Sequence, residues 1–312
     1  MEHYVTLFDG LFLPQGVALQ ASLERHAGDY TLWIVCVDEA AHRALDTLKL
    51  PHVRLLTVES VENDRLRSVK GNRSRGEYCW TLTPFAPGFV FDADPSVGRV
   101  TYLDADVWLT GSPAPILAEF ERSAKSVLIT EHGYAPEYDQ TPVAGKFCVQ
   151  FMTFVRGDSD AVRGWWADRC IEWCYARLED GKFGDQMYLN DWPERFPDAV
   201  HVLRERAFLQ APWNATRFPA SEARVFHFHG LRLMDDEHVL LAKNYRIPAP
   251  TLAMIYTPYL ADLRVAIDRL ASVGAQARAQ TSESRWWMTV TSTLRDLASH
   301  LRGPRMRRSV KL

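Results

Sequence analysis

The chain has 312 residues, of which 47% are hydrophobic, 24% charged and 12% aromatic; this is a soluble globular composition and excludes disorder as a global description. Lys plus Arg number 36 against 39 Asp plus Glu, so a net charge of −3 provides no field to gather a polyanion, and no nucleic-acid partner is expected. Glu2 and Asp9 interrupt the apolar start and no run approaches the ~20 apolar residues of a spanning helix, so neither a signal peptide nor a membrane span is expected and the location read from the sequence is cytoplasmic.

Taken in chain order, Tyr4 to Phe8 and Leu32 to Val37 read as buried strands separated by an amphipathic stretch, Gly16 to His26. Val53 to Val58, Val100 to Leu103 and Ser126 to Thr130 supply further strands, and this alternation predicts a largely parallel α/β sheet. Such sheets bind ligands beyond the carboxyl ends of their strands, where Asp9, Asp38, Asp104 and Glu131 fall. Val61 to Tyr78, rich in Arg, Lys, Gly and Asn, is expected to be a surface loop or a loosely held helix. Arg163 to Leu178 has helical spacing and reads as a core helix carrying Trp165, Trp166, Trp173 and Tyr175. Cys170 and Cys174 within it have no second pair at zinc-site spacing, and the odd total of five cysteines fits reduced, buried thiols. Leu260 to Leu301 is again helical in pattern and runs into a basic end, Arg302, Arg305, Arg307, Arg308 and Lys311. The expected organisation is one domain, residues 1–250, followed by a helical extension, residues 251–312.

Three segments carry chemistry. In Val100-Thr-Tyr-Leu-Asp104-Ala-Asp106 a strand runs into two carboxylates that can meet one cation, and hard ions such as Mn²⁺ or Mg²⁺ take oxygen ligands while leaving positions for phosphate. The plain alternative is a turn whose Asp caps the next helix. In Val225-Phe-His227-Phe-His229-Gly230-Leu-Arg232 alternation places both imidazoles on one face, and an imidazole is a suitable third ligand for Mn²⁺. Between them, Gly181-Lys-Phe-Gly184-Asp185-Gln186 sets acidic and amide groups after a glycine-rich turn, where Asp185 can equally be a helix N-cap.

Together these segments resemble the GT-A glycosyltransferases, specifically the clan of family 8 retaining transferases. The resemblance rests on Tyr102-Leu103-Asp104-Ala105-Asp106, on Asp185-Gln186-x-x-Leu189-Asn190 and on His227-Phe228-x-Gly230, in that order, with a first strand ending Leu7-Phe8-Asp9, and it spans residues 3 to 232. It implies a single Rossmann-like GT-A domain with a mixed, mainly parallel sheet. It also implies a sugar transferred from a nucleoside-diphosphate donor, UDP-linked above all, to a saccharide acceptor. Asp104, Asp106 and His227 would hold Mn²⁺ or Mg²⁺, Phe8 and Asp9 would line the base and ribose, Gly230 would approach the diphosphate, and Asp185 and Gln186 would contact the donor sugar near its reacting carbon. Arg73, Arg75 or Arg232 would add to the diphosphate clamp, with solvated surface positions as the alternative.

The chain departs from the family in two places. Cys148 and Gln150 stand where Asn-x-Gly is usual, so Gln150 alters the donor-sugar wall, and Leu233 replaces a lysine while Arg232 comes one position earlier. Trp213 and Asn214 are further candidates for sugar contact, since aromatic faces pack on pyranose rings. The basic end, with Trp286 and Trp287 upstream, suits an anionic membrane face and hence a lipid-linked saccharide acceptor, against the alternative of a solvated tail. Competing readings are a haloacid-dehalogenase-type phosphatase, which also uses D-x-D after a strand, and a degenerate GT-A domain kept for binding. The first expects Thr or Val where Trp108 stands, and intact Asp104, Asp106, Asp185 and His227 oppose the second.

Overall fold

In a computed structural model the described residues are 1–235, 238–280 and 309–311. Strands β1 (Glu2–Phe8), β2 (Tyr30–Cys36), β3 (Val53–Thr57), β4 (Arg99–Leu103), β6 (Val127–Glu131), β7 (Phe147–Val155) and β8 (Val200–Val202) form one sheet in the order β3-β2-β1-β4-β7-β6-β8. All neighbours are parallel except β7, which runs antiparallel to β4 and β6, so the sheet is mixed and mainly parallel. Its carboxyl edge therefore gathers the residues after β1, β2, β4 and β6 together with the start of β7.

The β strands are apolar because both faces are covered. On one face the helix Leu13–His26 lays Leu19 and Leu23, each fully buried, into a cluster with Tyr4, Leu32, Ile34 and Leu103. Full burial of one such side chain contributes about 1.5–3 kcal/mol. The other face is covered by helices Arg75–Leu82 and Ala86–Ala93 through Leu82, Val90 and Phe91. Beyond β4 the chain forms β5 (Val107–Leu109), which joins β9 (Leu209–Gln210) and β10 (Val225–His227) in a small sheet ordered β5-β10-β9. The helix Thr257–Ser272 packs Tyr259, Leu263 and Ile267 against Trp108, Phe226 and Phe228. A third sheet comprises β11 (Arg232–Leu233), β12 (His238–Leu240) and β13 (Ser309–Lys311).

Two sequence expectations are corrected. Val61 to Tyr78 is not loose: it holds helices Asp64–Lys70 and Arg75–Leu82, whose N-termini are closed by Asn63 and by a reciprocal Ser74/Glu77 capping box. The helix read over Arg163 to Leu178 spans Asp160–Glu172 and stops at Trp173, which is extended (φ −155°, ψ 121°). Past that point a long-range contact replaces the helical bond, because the Ala176 amide donates to Glu77 Oε1 at 2.9 Å. Cys170 and Cys174 are fully buried free thiols. No helix among the described residues is long and apolar enough to cross a membrane. Trp286, Trp287 and Arg302, Arg305, Arg307 and Arg308 lie outside the described residues.

Candidate active site

The site begins where β4 leaves the sheet. The Asp104 amide still donates to Gln150 O of β7 at 3.3 Å, and the Val107 amide turns back to Asp104 O at 3.2 Å, so both aspartates sit in a tight turn at the carboxyl edge. The turn feeds β5, which pairs antiparallel with β10 so that His227 lies opposite Val107, and the Phe228 amide donates to Asp106 O at 2.8 Å. That register brings His227 Nε2 to 3.2 Å from Asp106 Oδ1 and 4.0 Å from Asp104 Oδ2. On the other side of the ring, Gln150 Oε1 is 3.0 Å from His227 Nδ1, and the Tyr102 hydroxyl donates to Asp104 Oδ1 at 3.0 Å.

One donor atom each from Asp104, Asp106 and His227 lies within 4.8 Å of the others. A six-coordinate Mg²⁺ or Mn²⁺ with bonds of about 2.1 Å separates neighbouring donors by about 3 Å and opposite donors by about 4 Å, so the set fits such an ion in spacing as well as in chemistry. The electrostatics agree. Burial raises the Asp104 carboxyl above its ordinary range, and the charge of Asp106 adds to this. Burial acts on Asp106 in the same direction, but the adjacent His227 overrides it and holds Asp106 low. His227 would be lowered by burial, yet the Asp106 carboxylate carries it well above its usual value. In the metal-free chain the imidazole thus occupies the position of a cation between two carboxylates.

Asp185 stands beside this triad, at the N-terminal end of the turn Gln186–Asp191 but without a capping side chain. Its backbone is already helical (φ −93°, ψ −26°), its side chain caps nothing, and the residue is 3% exposed with Oδ2 lacking any hydrogen-bond partner in the protein. Its carbonyl accepts from Trp166 Nε1 at 2.8 Å, which anchors the segment to the fully buried Trp166. Burial, with the charge of Asp104 second, pushes the Asp185 carboxyl up to about 8, so it is mainly protonated at neutral pH and can donate as well as accept. The next residue, Gln186, donates from Nε2 at 2.7 Å to the carbonyl of Ala144, which ends the short helix Thr141–Ala144 before β7.

The remaining sequence candidates fall at different places. Asp9 lies at the end of β1, buried, where Oδ1 accepts the Leu11 amide at 2.9 Å and Oδ2 pairs with Arg75 at 3.1 Å. Arg75 also reaches Asp38 at 3.0 Å, so one guanidinium bridges the ends of β1 and β2. Gly230 has φ +81°, a conformation that favours glycine, and Arg232 is largely buried with its charge acting on Asp106 and His229.

Four candidates are corrected. The Phe8 side chain is 2% exposed with its ring against Gly16, so it is a core group and only its backbone reaches the strand end. Arg73 donates to Ile171 O at 3.2 Å and lies over the Tyr175 ring at 3.9 Å, which ties it to the helix end and away from any clamp. Asn214 is fully buried, and its amide holds the loop through Leu209 O, His132 O and the Ala211 amide. Trp213, 3% exposed, donates to His132 O at 2.8 Å and meets the His227 and His229 rings edge-on at 5.3 Å each; it braces the histidines and presents no open face to a sugar.

His227 and His229 do adjoin one another, with ring centroids 5.8 Å apart, although β10 ends at His227 and the second ring reaches its place through a turn. Burial and the charge of His227 push His229 down to about 3, which keeps it neutral. Sequence reasoning missed the wall beyond it: His132 stacked on Tyr134 at 4.6 Å, and Tyr245 at 6.3 Å from His229. Isolated tyrosines in polar loops carry no periodic signal. It also missed Glu77, whose buried carboxylate ties the Arg75–Leu82 helix to the segment leading to Asp185.

No family model matches the chain. It is 29% identical over 289 residues to the uncharacterized protein YfnD of Bacillus subtilis (strain 168), covering 86% of this chain and 91% of that protein. It is 31% identical over 253 residues to the uncharacterized protein YfnF of the same strain, covering 74% of this chain and 82% of that protein. Among solved structures, the glycosyltransferase GlyE of Streptococcus pneumoniae TIGR4 superposes with a TM-score of 0.52 at 15% identity over 90% of this chain and 67% of that one. The bifunctional glycosyltransferase WbbM superposes with a TM-score of 0.50 at 14% identity, over 73% of this chain and 46% of that one, just under half its length. Likeness at such identities establishes the fold, which is of the GT-A type and is foreign to haloacid-dehalogenase phosphatases. On the strength of its likeness to YfnF over most of both chains, the protein belongs to the family of that Bacillus subtilis protein.

Proposed function

We propose that this protein is a metal-dependent glycosyltransferase that moves a hexose from a nucleoside-diphosphate sugar, UDP-linked by preference, to a saccharide acceptor in the synthesis of a surface polysaccharide or lipid-linked glycan. The observation that carries the reading is the meeting of Asp104, Asp106 and His227, with the buried Asp185 beside them, at the carboxyl edge of a GT-A sheet. Residues 1–250 form the catalytic domain in this reading, and the helix Thr257–Ser272 that follows packs against it.

In the reaction the bond between the anomeric carbon and the diphosphate oxygen breaks, a bond to an acceptor hydroxyl oxygen forms, negative charge develops on the leaving diphosphate, and the hydroxyl proton passes to that diphosphate. Asp104, Asp106 and His227 would hold Mn²⁺ or Mg²⁺, which would supply charge stabilisation to that diphosphate. Arg232 adds positive charge at the same place, and Gly230 lets the backbone come close. Asp9 and Arg75 take the ribose side, at the ends of β1 and β2. Asp185, protonated, donates to a hydroxyl of the donor sugar, and Gln186 faces the reacting carbon in a reaction that retains configuration. Tyr134 and Tyr245 line the acceptor side. The basic C-terminus holds the enzyme peripherally at the cytoplasmic membrane face, where a lipid-linked acceptor resides.

Titration of UDP into the protein with and without Mn²⁺ tests the reading. UDP should bind at least tenfold more tightly with the metal, and Asp106→Ala should abolish the difference; metal-independent binding, or an unchanged Asp106→Ala variant, refutes it. A thermal-shift screen of nucleotide sugars then names the donor. Flotation with anionic liposomes, full-length chain against one ending before Arg302, tests the membrane contact, which equal flotation removes.

A further inference from the structure

Gln150 touches both arms of the metal-binding triad. Its residue is 1% exposed, on β7 where that strand runs antiparallel beside β4. Through its backbone carbonyl it accepts the Asp104 amide at 3.3 Å, which sets where the first carboxylate leaves the sheet. Through its side chain it places Oε1 3.0 Å from His227 Nδ1, on the face of the ring opposite the carboxylates. The two arms come from distant parts of the chain, and one central residue keeps them in register.

The chemistry of the imidazole makes this contact directional. His227 Nε2 points to Asp106 and Asp104, so a cation there must take the Nε2 lone pair. A neutral ring that gives that lone pair carries its proton on Nδ1, and a buried N–H needs an acceptor. The carboxamide oxygen of Gln150 is that acceptor, and hydrogen bonds of this kind orient metal-bound histidines and raise their basicity. An aliphatic side chain there would remove this oxygen acceptor and leave the ring, apart from the carboxylates, only the Cys148 thiol, a weak hydrogen-bonding group.

We infer that Gln150 is a positioning residue that holds His227 as a neutral, Nε2-coordinating ligand and so sets the affinity of the site for its divalent cation. This rests on the reading of Asp104, Asp106 and His227 as a metal site. The Gln150 amide nitrogen has no partner in the protein. Its hydrogens are therefore left to a bound molecule, and the oxygen alone serves the histidine.

Mn²⁺ binding to the full chain, followed by electron paramagnetic resonance, tests the inference in wild type, Gln150→Leu and Gln150→Glu, with metal-free thermal unfolding as the folding control. The Leu variant should bind Mn²⁺ about 10–100-fold more weakly. The Glu variant, which restores an acceptor oxygen, should stay within several-fold of wild type. Should Gln150→Leu not fold, ring ¹⁵N spectra of the Mg²⁺-loaded wild type decide the matter, with His227 expected to carry its proton on Nδ1. A folded Gln150→Leu that binds Mn²⁺ as wild type does, or a proton found on Nε2, overturns the inference while leaving the metal site standing. Wild type that binds no Mn²⁺ overturns both.

Discussion

His227 Nε2 stands 3.2 Å from Asp106 Oδ1, although the two belong to strands far apart in sequence, and the pairing of β5 with β10 is what joins them. In the absence of metal the relationship is an ion pair. The raised value of His227 means that its contribution is complete below the ordinary histidine range and is lost as pH rises through the folded value. Asp104, raised to about 6, has the same sign but acts between its unfolded value and about 6, so the loss above pH 6 belongs to His227. Metal-free protein should therefore lose thermal stability on going from pH 6 to pH 9, and Asp106→Asn, lacking the pair, should be less stable than wild type at pH 6, by a margin that shrinks as pH rises. Saturating Mn²⁺ should flatten the wild-type profile. Calorimetry across that range reads each outcome.

Asp185 has the opposite sensitivity to substitution. Its carboxyl is raised to about 8 by burial, so the folded chain disfavours the charged form and stability falls as pH rises from the unfolded value to about 8. Asp185→Asn keeps the shape and removes the charge. It should be more stable than wild type by on the order of a few kcal/mol at pH 9 and equal to it at pH 4, while donor turnover is lost. Denaturant melts at the two pH values distinguish this from a carboxylate that is paired when folded.

Glu77 behaves as a conventional buried carboxylate. Burial alone would raise it, but the Ala176 and Ser74 amides, at 2.9 and 2.8 Å, hold it below its ordinary value. The stability it contributes is present above the unfolded value and is lost as pH falls through the folded one. Glu77→Gln should cost about 1–3 kcal/mol at pH 7 and much less near pH 3. Because Glu77 ties down the segment leading to Asp185, protease cutting between Trp173 and Gly184 should accelerate in the variant.

Gly16 is needed for space. A Cβ there would lie 2.3 Å from Phe8 Cζ, and Phe8 immediately precedes Asp9. Gly16→Ala gains up to about 1 kcal/mol of helix propensity but forces the ring to move within a packed core, at about 1–3 kcal/mol. The expected result is a lower melting temperature together with weaker nucleotide binding. A variant as stable as wild type would show that the ring has room to shift.

Much of this protein was legible because its signals are local. Apolar runs ending in Asp9, Asp38 and Asp104 identified strands and the sheet edge at which they end, since strand periodicity and burial are written in adjacent residues. The short helices of residues 64–82 read only as a surface loop or a loosely held helix because their stability lies in caps and in buried contacts such as Leu66, which leave little periodicity over so few turns. Arg73 and Asn214 looked available for ligands because a sequence shows a polar group but not what has already engaged it.

The sequence by itself determined the α/β class, the order of the strands along the chain and the residue types able to hold a divalent ion. Only the tertiary structure decided that Asp104, Asp106 and His227 meet, that Asp185 is a buried acid whose side chain caps nothing, and that Gln150 stands behind the imidazole. The physical reason is that local propensities act over a few residues. Convergence depends instead on strand register, and the antiparallel insertion of β7 and the pairing of β5 with β10 are settled by the packing of the whole core.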